Sequence, residues 1–211
     1  MLSEKRYFKD SSFISEALPE ISIRLPETMT YVGQTDFVLK EKARIDRHHF
    51  LETDVADTFS RLVILHFEHF LPTNDSIITY RPPEPPRHAG PNYRFTLEPV
   101  RLGKHDYIHN TWFFDAAMAV HDEPDKELAQ TARLLQQNGY ILPDEIRLSR
   151  YVRILDATRK SELILFYMEP LAPTGFTLAD FVEGGAGAAV YNILSAEITT
   201  RSTAVFQIER G

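Results

Sequence analysis

Two charged residues occupy apolar positions in the alternating patterns of predicted strands. Glu41 falls between Leu39 and Ala43 in a strand predicted over residues 36–45, and Arg150 interrupts a similar alternation in a later strand. Successive side chains of a strand point to opposite faces, so both charges are predicted to face the covered side of a sheet. An isolated buried charge is costly. We therefore expect the two residues to form a structural ion pair, to lie at a strand end already in solvent, or to line a ligand cavity, where Arg150 would bind an anionic group.

Histidines and a carboxylate form a second group of residues that could carry chemistry. In a strand, His66 and Glu68 share one face, and His105, Tyr107 and His109 share one face of another strand. If the two strands were neighbours, three imidazoles and one carboxylate would converge, which suits zinc or iron binding or a general acid–base pair. The HExxH helix motif and a His-x-His pair are both absent. The sequence therefore predicts no metal site and no cofactor.

These residues support three functional hypotheses. The leading one is a protein that binds a small, mostly apolar molecule with a polar or anionic group in a cavity between sheet and helix. The polar lining of that cavity is predicted to consist of Glu41, His66, Tyr107 and Arg150. The first alternative is an enzyme at the same cavity, with His66 or His109 as general base and Glu68 or Glu41 orienting it, with or without a metal. The second is a protein that self-associates or docks a partner through its N-terminal segment and C-terminal helix.

The strands that position these residues are predicted from period-two alternation of apolar and polar side chains. They cover residues 21–25, 36–45, 61–71, 77–80, 93–98, the first part of 107–120, 146–156 and 162–169. The last two are expected to pair through a hairpin loop at residues 157–160. The sequence thus predicts a curved, mostly antiparallel sheet of about six strands, which could curl toward a barrel and leave a cavity.

Two helices are predicted to cover this sheet. The first begins near Asp122, carries Pro124 in its first turn, and ends at Asn138 and Gly139. The second is a long amphipathic helix that extends as far as Ile208. Its sheet-facing residues are predicted to include Ile193, Leu194, Ile198 and Val205. Antiparallel strands covered by an internal and a terminal helix define an α+β fold.

The chain is predicted to form one domain over residues 1–211. Residues 1–30 are expected to be an N-terminal arm or edge, and residues 81–92 a proline-rich loop, because prolines cannot continue a helix or a central strand. The glycine tract at residues 184–187 does not match a nucleotide-binding loop, so we expect a flexible joint there.

Composition excludes several classes of protein. The 211 residues are 43% hydrophobic and 25% charged, which is typical of a folded globular chain. A formal charge of −7 disfavours nucleic acid and anionic membranes as partners, and the absence of cysteine excludes disulfides, cysteine zinc sites and thiol catalysis. The longest strongly apolar run, residues 163–168, is far shorter than the roughly 20 residues that span a bilayer. We expect a cytoplasmic protein without a membrane partner, with homo-oligomerisation left open.

Overall fold

The computed structural model describes residues 5–56, 58–73, 79–81, 93–122, 126–181 and 187–210, with the side chains of 93–98 and 187–188 left out of the description. Its elements are β1 (Arg6–Lys9), β2 (Ser12–Ser15), β3 (Ile21–Arg24), β4 (Thr30–Leu39), β5 (Ala43–Thr53), β6 (Phe59–Phe70), β7 (Tyr93–Leu102), β8 (His105–Asp115), α1 (Ala116–Asp122), α2 (Glu127–Gln137), β9 (Glu145–Ile154), β10 (Ser161–Pro170), α3 (Gly187–Val205) and β11 (Gln207–Arg210). Most of the proline-rich loop and residues 77–78 of one predicted strand lie outside the described residues.

A seven-stranded antiparallel sheet organises the fold. Its strands lie in the order β4-β5-β6-β10-β9-β8-β7, and β4 and β7 are its two edges, so the sheet is open and not a closed barrel. The four central strands β5, β6, β10 and β9 are buried along most of their length because both faces of the sheet are covered. The α+β class and the antiparallel pairing are confirmed.

The two faces of this sheet have different covers. We call the side of Ile64 and His66 the front face, and the side of Leu65 and Phe67 the rear face. On the front face, α1 and α2 pack at one end, where Leu135 contacts the apolar cluster around Ile64. On the rear face lie α3 and a four-stranded sheet in the order β1-β2-β3-β11. The catalytic and ligand-binding hypotheses therefore depend on which face each polar residue occupies.

The segment expected as an N-terminal arm supplies most of the rear cover. Phe13, Ile21 and Ile23 are completely buried against the core of the large sheet. Arg6 anchors this cover, because its Nη1 donates to Asp46 Oδ2 on β5 at 2.8 Å and its guanidinium lies 4.0 Å from the Phe67 ring centre. The C-terminal β11 completes the smaller sheet by pairing with β3.

The strand predicted over residues 36–45 is two strands joined by a tight turn. The chain reverses at Lys40 and Glu41, whose φ angles of 48° and 57° are left-handed, and Lys42 N donates to Leu39 O at 2.9 Å. Leu39 pairs directly with Ala43, so their side chains lie on the same face. Because three residues separate Leu39 from Ala43, odd-numbered residues lie on the same face before and after the turn. The apolar alternation therefore appears to continue through residue 41. The prediction that Glu41 faces the covered side is wrong, because this residue is exposed in the turn.

The long C-terminal helix is confirmed as α3, but it ends at Val205, and Ile208 belongs to β11. Ile198 is completely buried and Val205 nearly so, whereas Ile193 is 60% exposed, which corrects its predicted sheet-facing position. The residues of α3 that face the sheet include hydroxyls as well as apolar side chains, namely Tyr191, Leu194, Ser195, Ile198, Ser202 and Val205. A search for apolar spacing alone therefore misplaces part of this face. None of the helices among the described residues is long and apolar enough to cross a membrane.

The orientation of α3 predicts unequal effects for two isoleucines of the same helix. Ile198→Ala should lower the free energy of unfolding by about 2–5 kcal/mol, because it leaves a cavity in the rear core. Ile193→Ala should change it by no more than about 0.5 kcal/mol, because its side chain is mostly in solvent. Urea unfolding of both variants measures the difference. Equal losses of stability would contradict the orientation of α3, in which Ile198 faces the core and Ile193 faces solvent.

Candidate functional site

The four residues predicted to line a cavity do not meet. Glu41 is in the exposed turn between β4 and β5, and Tyr107 is completely buried on the rear face. His66 and Arg150 are both on the front face, on β6 and β9, with β10 between them. The predicted Glu41–Arg150 ion pair is therefore absent, since Arg150 Nε donates instead to Asn110 Oδ1 at 3.0 Å.

The predicted convergence of histidines is also wrong. β6 and β8 are separated by two strands, and His109 shares the rear face with Tyr107, opposite His66. His109 Nε2 lies 2.8 Å from Ser149 Oγ, which accepts a hydrogen bond from Ser202 Oγ of α3 at 2.9 Å. This buried hydroxyl network attaches α3 to the sheet. The described residues contain no group of three or more histidines and carboxylates arranged to hold a metal ion.

The structure instead assembles a polar cluster around His66 on the front face. We call His66, Glu68, Glu162 and Arg150 the front cluster. Glu68 and Glu162 are direct cross-strand partners on β6 and β10, and each is only 9% exposed. His66 Nε2 lies 3.1 Å from Glu68 Oε2, so this nitrogen donates when Glu68 is ionised, while Nδ1 is buried without a hydrogen-bond partner in the described part of the chain. Two carboxyl groups are thus held side by side with one imidazole.

Burial and mutual repulsion set the protonation of this cluster. Burial, together with the negative charge of Glu68, raises the pKa of Glu162 to about 7, although Arg150 opposes the shift. Burial lowers the pKa of His66, and the hydrogen bond to Glu68 only partly opposes this change. Burial and the neighbouring Glu68 also raise the pKa of Tyr80, whose ring stacks on Phe70 at 4.4 Å between centres. The arrangement therefore holds a carboxyl proton close to neutral pH.

The residues beside the front cluster fix its position relative to α2. Arg47 Nη1 donates to Glu127 O at 2.6 Å and to Thr131 Oγ1 at 3.0 Å, and burial lowers the pKa of this guanidinium to about 10. His49 Nε2 also contacts Thr131 Oγ1, at 3.2 Å. These contacts use the polar groups of Arg47 and His49 to dock the first turns of α2. Arg47 Nε, like His66 Nδ1, stays buried without a hydrogen-bond partner in the part of the chain that the structure describes.

Glu162 is the site residue that sequence reasoning missed. Its strand is apolar on both faces, so there is no alternation of polar and apolar residues against which Glu162 would stand out. The rule that singled out Arg150 applies to it equally, since Glu162 has the same parity as Ile164 and Phe166. Its pairing with Glu68 depends on the register of two strands that are almost a hundred residues apart, which no local pattern encodes.

Comparisons with protein-family models, with curated proteins and with solved structures find no match. Two opposed carboxyl groups in a partly buried site can accept hydrogen bonds from a cationic group, or exchange a proton with a bound molecule.

The raised pKa of Glu162 predicts a measurable pH dependence of stability. In the unfolded chain this carboxyl titrates near 4.5, so the folded protein binds more protons between pH 4.5 and about 7 and loses stability as the pH rises through that window. The loss should reach about 3 kcal/mol. Glu162→Gln keeps the neutral shape, so it should match the wild type below the window and be more stable above it.

Urea unfolding of the two proteins across this pH range tests the prediction. Glu27→Gln is the control, because Glu27 is exposed and should leave the pH profile unchanged. Parallel profiles for the wild type and Glu162→Gln would show that Glu162 titrates normally.

Proposed function

We propose that the chain binds a small organic molecule at the front cluster, and that the molecule presents a protonated amine or a similar hydrogen-bond donor to Glu68 and Glu162. The observation that carries the proposal is the direct pairing of two mostly buried carboxyl groups on adjacent central strands. Like charges placed directly opposite each other are destabilising in a sheet. A cationic group between them would reduce this cost by attracting the negative charge and by donating hydrogen bonds to both carboxyl groups.

The surroundings of the front cluster support a ligand that is otherwise apolar. Ile108, Ile154 and Phe166 belong to the front face and are only half buried. They extend from the carboxyl pair across β8, β9 and β10, and they offer apolar contact to the remainder of a bound molecule. A ligand with an anionic group is disfavoured here, because the front cluster contains two carboxyl groups and one arginine.

A second candidate function, acid–base catalysis, is favoured by one specific observation. Glu162 holds a proton near neutral pH beside a carboxyl group that is oriented by His66. In this proposal Glu162 donates a proton to the bound molecule and Glu68 accepts one, with His66 holding Glu68 in place. The roles of His66 and Glu68 are reversed relative to the sequence-based hypothesis, because burial disfavours a protonated His66. Self-association through the N-terminal strands and α3 stays a prediction.

Titration with small primary amines tests the binding proposal. Amide NMR spectra should show saturable shifts in β6 and β10 on addition of benzylamine or related amines and guanidines, and none with benzyl alcohol. Replacing both acids in a Glu68→Gln, Glu162→Gln double variant should weaken binding at least roughly tenfold, because a charge-assisted hydrogen bond contributes about 1.5–3 kcal/mol. Glu27→Gln should bind as the wild type does. If the amines do not shift the amide signals of β6 and β10, or if they bind the double variant as tightly as the wild type, the front cluster is not the binding site.

A further inference from the structure

A cleft on the rear face is bordered by arginines that the front cluster does not involve. It has a volume of about 400 Å³ and lies where β6 and β10 meet α3. Arg61, Arg147 and Arg201 line it together with Pro170 and Pro173. This volume falls within the usual range of small-molecule sites, roughly 300–1,000 Å³.

Arg147 is the unusual residue of this cleft. Its side chain is only 9% exposed, and its Nη2 donates to Glu169 Oε2 at 2.7 Å. Its other two nitrogens, Nε and Nη1, are buried without a hydrogen-bond partner in the part of the chain that the structure describes. Glu197 Oε2 approaches Nη1 to only 3.8 Å, which is beyond hydrogen-bond distance. A buried guanidinium with unused donors is costly, and an added oxyanion would satisfy them.

The acidic groups near Arg147 are already engaged. Glu169 Oε1 accepts from Arg201 Nε at 2.8 Å and from the Tyr167 hydroxyl at 2.5 Å, and its Oε2 accepts from Arg201 Nη2 at 2.9 Å. Arg61 Nη2 donates to Glu52 Oε1 at 2.8 Å. The lining residue Asp54 accepts hydrogen bonds from the backbone of its own turn, at Ala56 N and Thr58 N. None of these carboxylates reaches the unused donors of Arg147.

We propose that this cleft binds a small organic oxyanion, a carboxylate or a phosphate monoester, through Arg147, with the apolar part of the molecule against Pro170 and Pro173. Arginine suits this role because its planar guanidinium donates several hydrogen bonds in fixed directions. The site is on the opposite face of the sheet from the front cluster, so it is independent of the amine-binding proposal. Arg147, rather than the sequence-predicted Arg150, is then the residue that binds an anion.

Titrations with benzoate and with phenyl phosphate test the site and distinguish the two oxyanions. We expect at least one of them to bind the wild type saturably and to shift the amides of Arg61 and Arg201, while neutral benzyl alcohol does not. Arg147→Lys retains a positive charge for Glu169 but loses the guanidinium donors, so it should weaken binding at least roughly tenfold. Arg101→Lys is the matched control, because Arg101 is an exposed arginine outside both proposed sites, and it should bind as the wild type does.

Three results would overturn the proposal. They are no saturable binding of either anion by the wild type, unchanged affinity in Arg147→Lys, or loss of affinity in Arg101→Lys alone. If Arg147→Lys does not fold, Pro173→Ala serves instead, since Pro173 lines the cleft and is exposed. It should weaken phenyl phosphate or benzoate binding while leaving the affinity for inorganic phosphate or acetate unchanged, and equal affinity of the aromatic anions for Pro173→Ala and wild type would overturn the assignment.

Discussion

Both faces of the seven-stranded sheet are covered, so each polar side chain on its central strands must find a partner inside the protein. On the rear face, Arg6 pairs with Asp46 and thereby attaches the smaller sheet. Farther along, His109 and Ser149 join Ser202 and attach α3. The polar groups of the sheet thus determine where its covers dock, in addition to the apolar contacts that supply most of the burial.

The described residues depart from this rule in several places, and two of these departures carry the proposed sites. Glu162 faces another carboxyl group on the front face, and Arg147 has unused donors on the rear face. Removing one partner of a buried ionic contact costs several kcal/mol, on the order of 3–5, so such groups persist only when something compensates them. A bound molecule is one such compensation. A carboxyl pair on one face and an arginine with unused donors on the other indicate ligands of opposite charge.

β10 connects the two proposed sites. Glu162 is near its beginning and Glu169 near its end, and their odd separation in sequence places them on opposite faces. Each acid pairs across the sheet with a residue of a neighbouring strand, Glu162 with Glu68 and Glu169 with Arg147. The same strand therefore contributes one acid to the front cluster and another to the cleft beside α3.

The sequence predicted several elements correctly, and it also predicted which residues of a single strand share a face of the sheet. The alternation over 146–156 and 162–169, separated by a short loop, correctly predicts the β9–β10 hairpin, and Asn138 and Gly139 correctly mark the end of α2. The shared face of His66 and Glu68 also follows from parity, because alternation along one strand is a local property of the backbone. Composition alone established that stability here depends on burial without disulfides.

Only the tertiary structure decided which of these residues meet. β6 pairs with β10 rather than with β7, so His66 and His109 are far apart and Glu68 lies beside Glu162. The three-residue turn after Leu39 preserves parity, so the alternation could not reveal that Glu41 is exposed. Strand order and register depend on packing between segments distant in the chain, and a period of two is unchanged when a register shifts by two residues. For that reason the sequence determined several of the strands and their alternating faces, whereas the partners across the sheet were decided only by the folded structure.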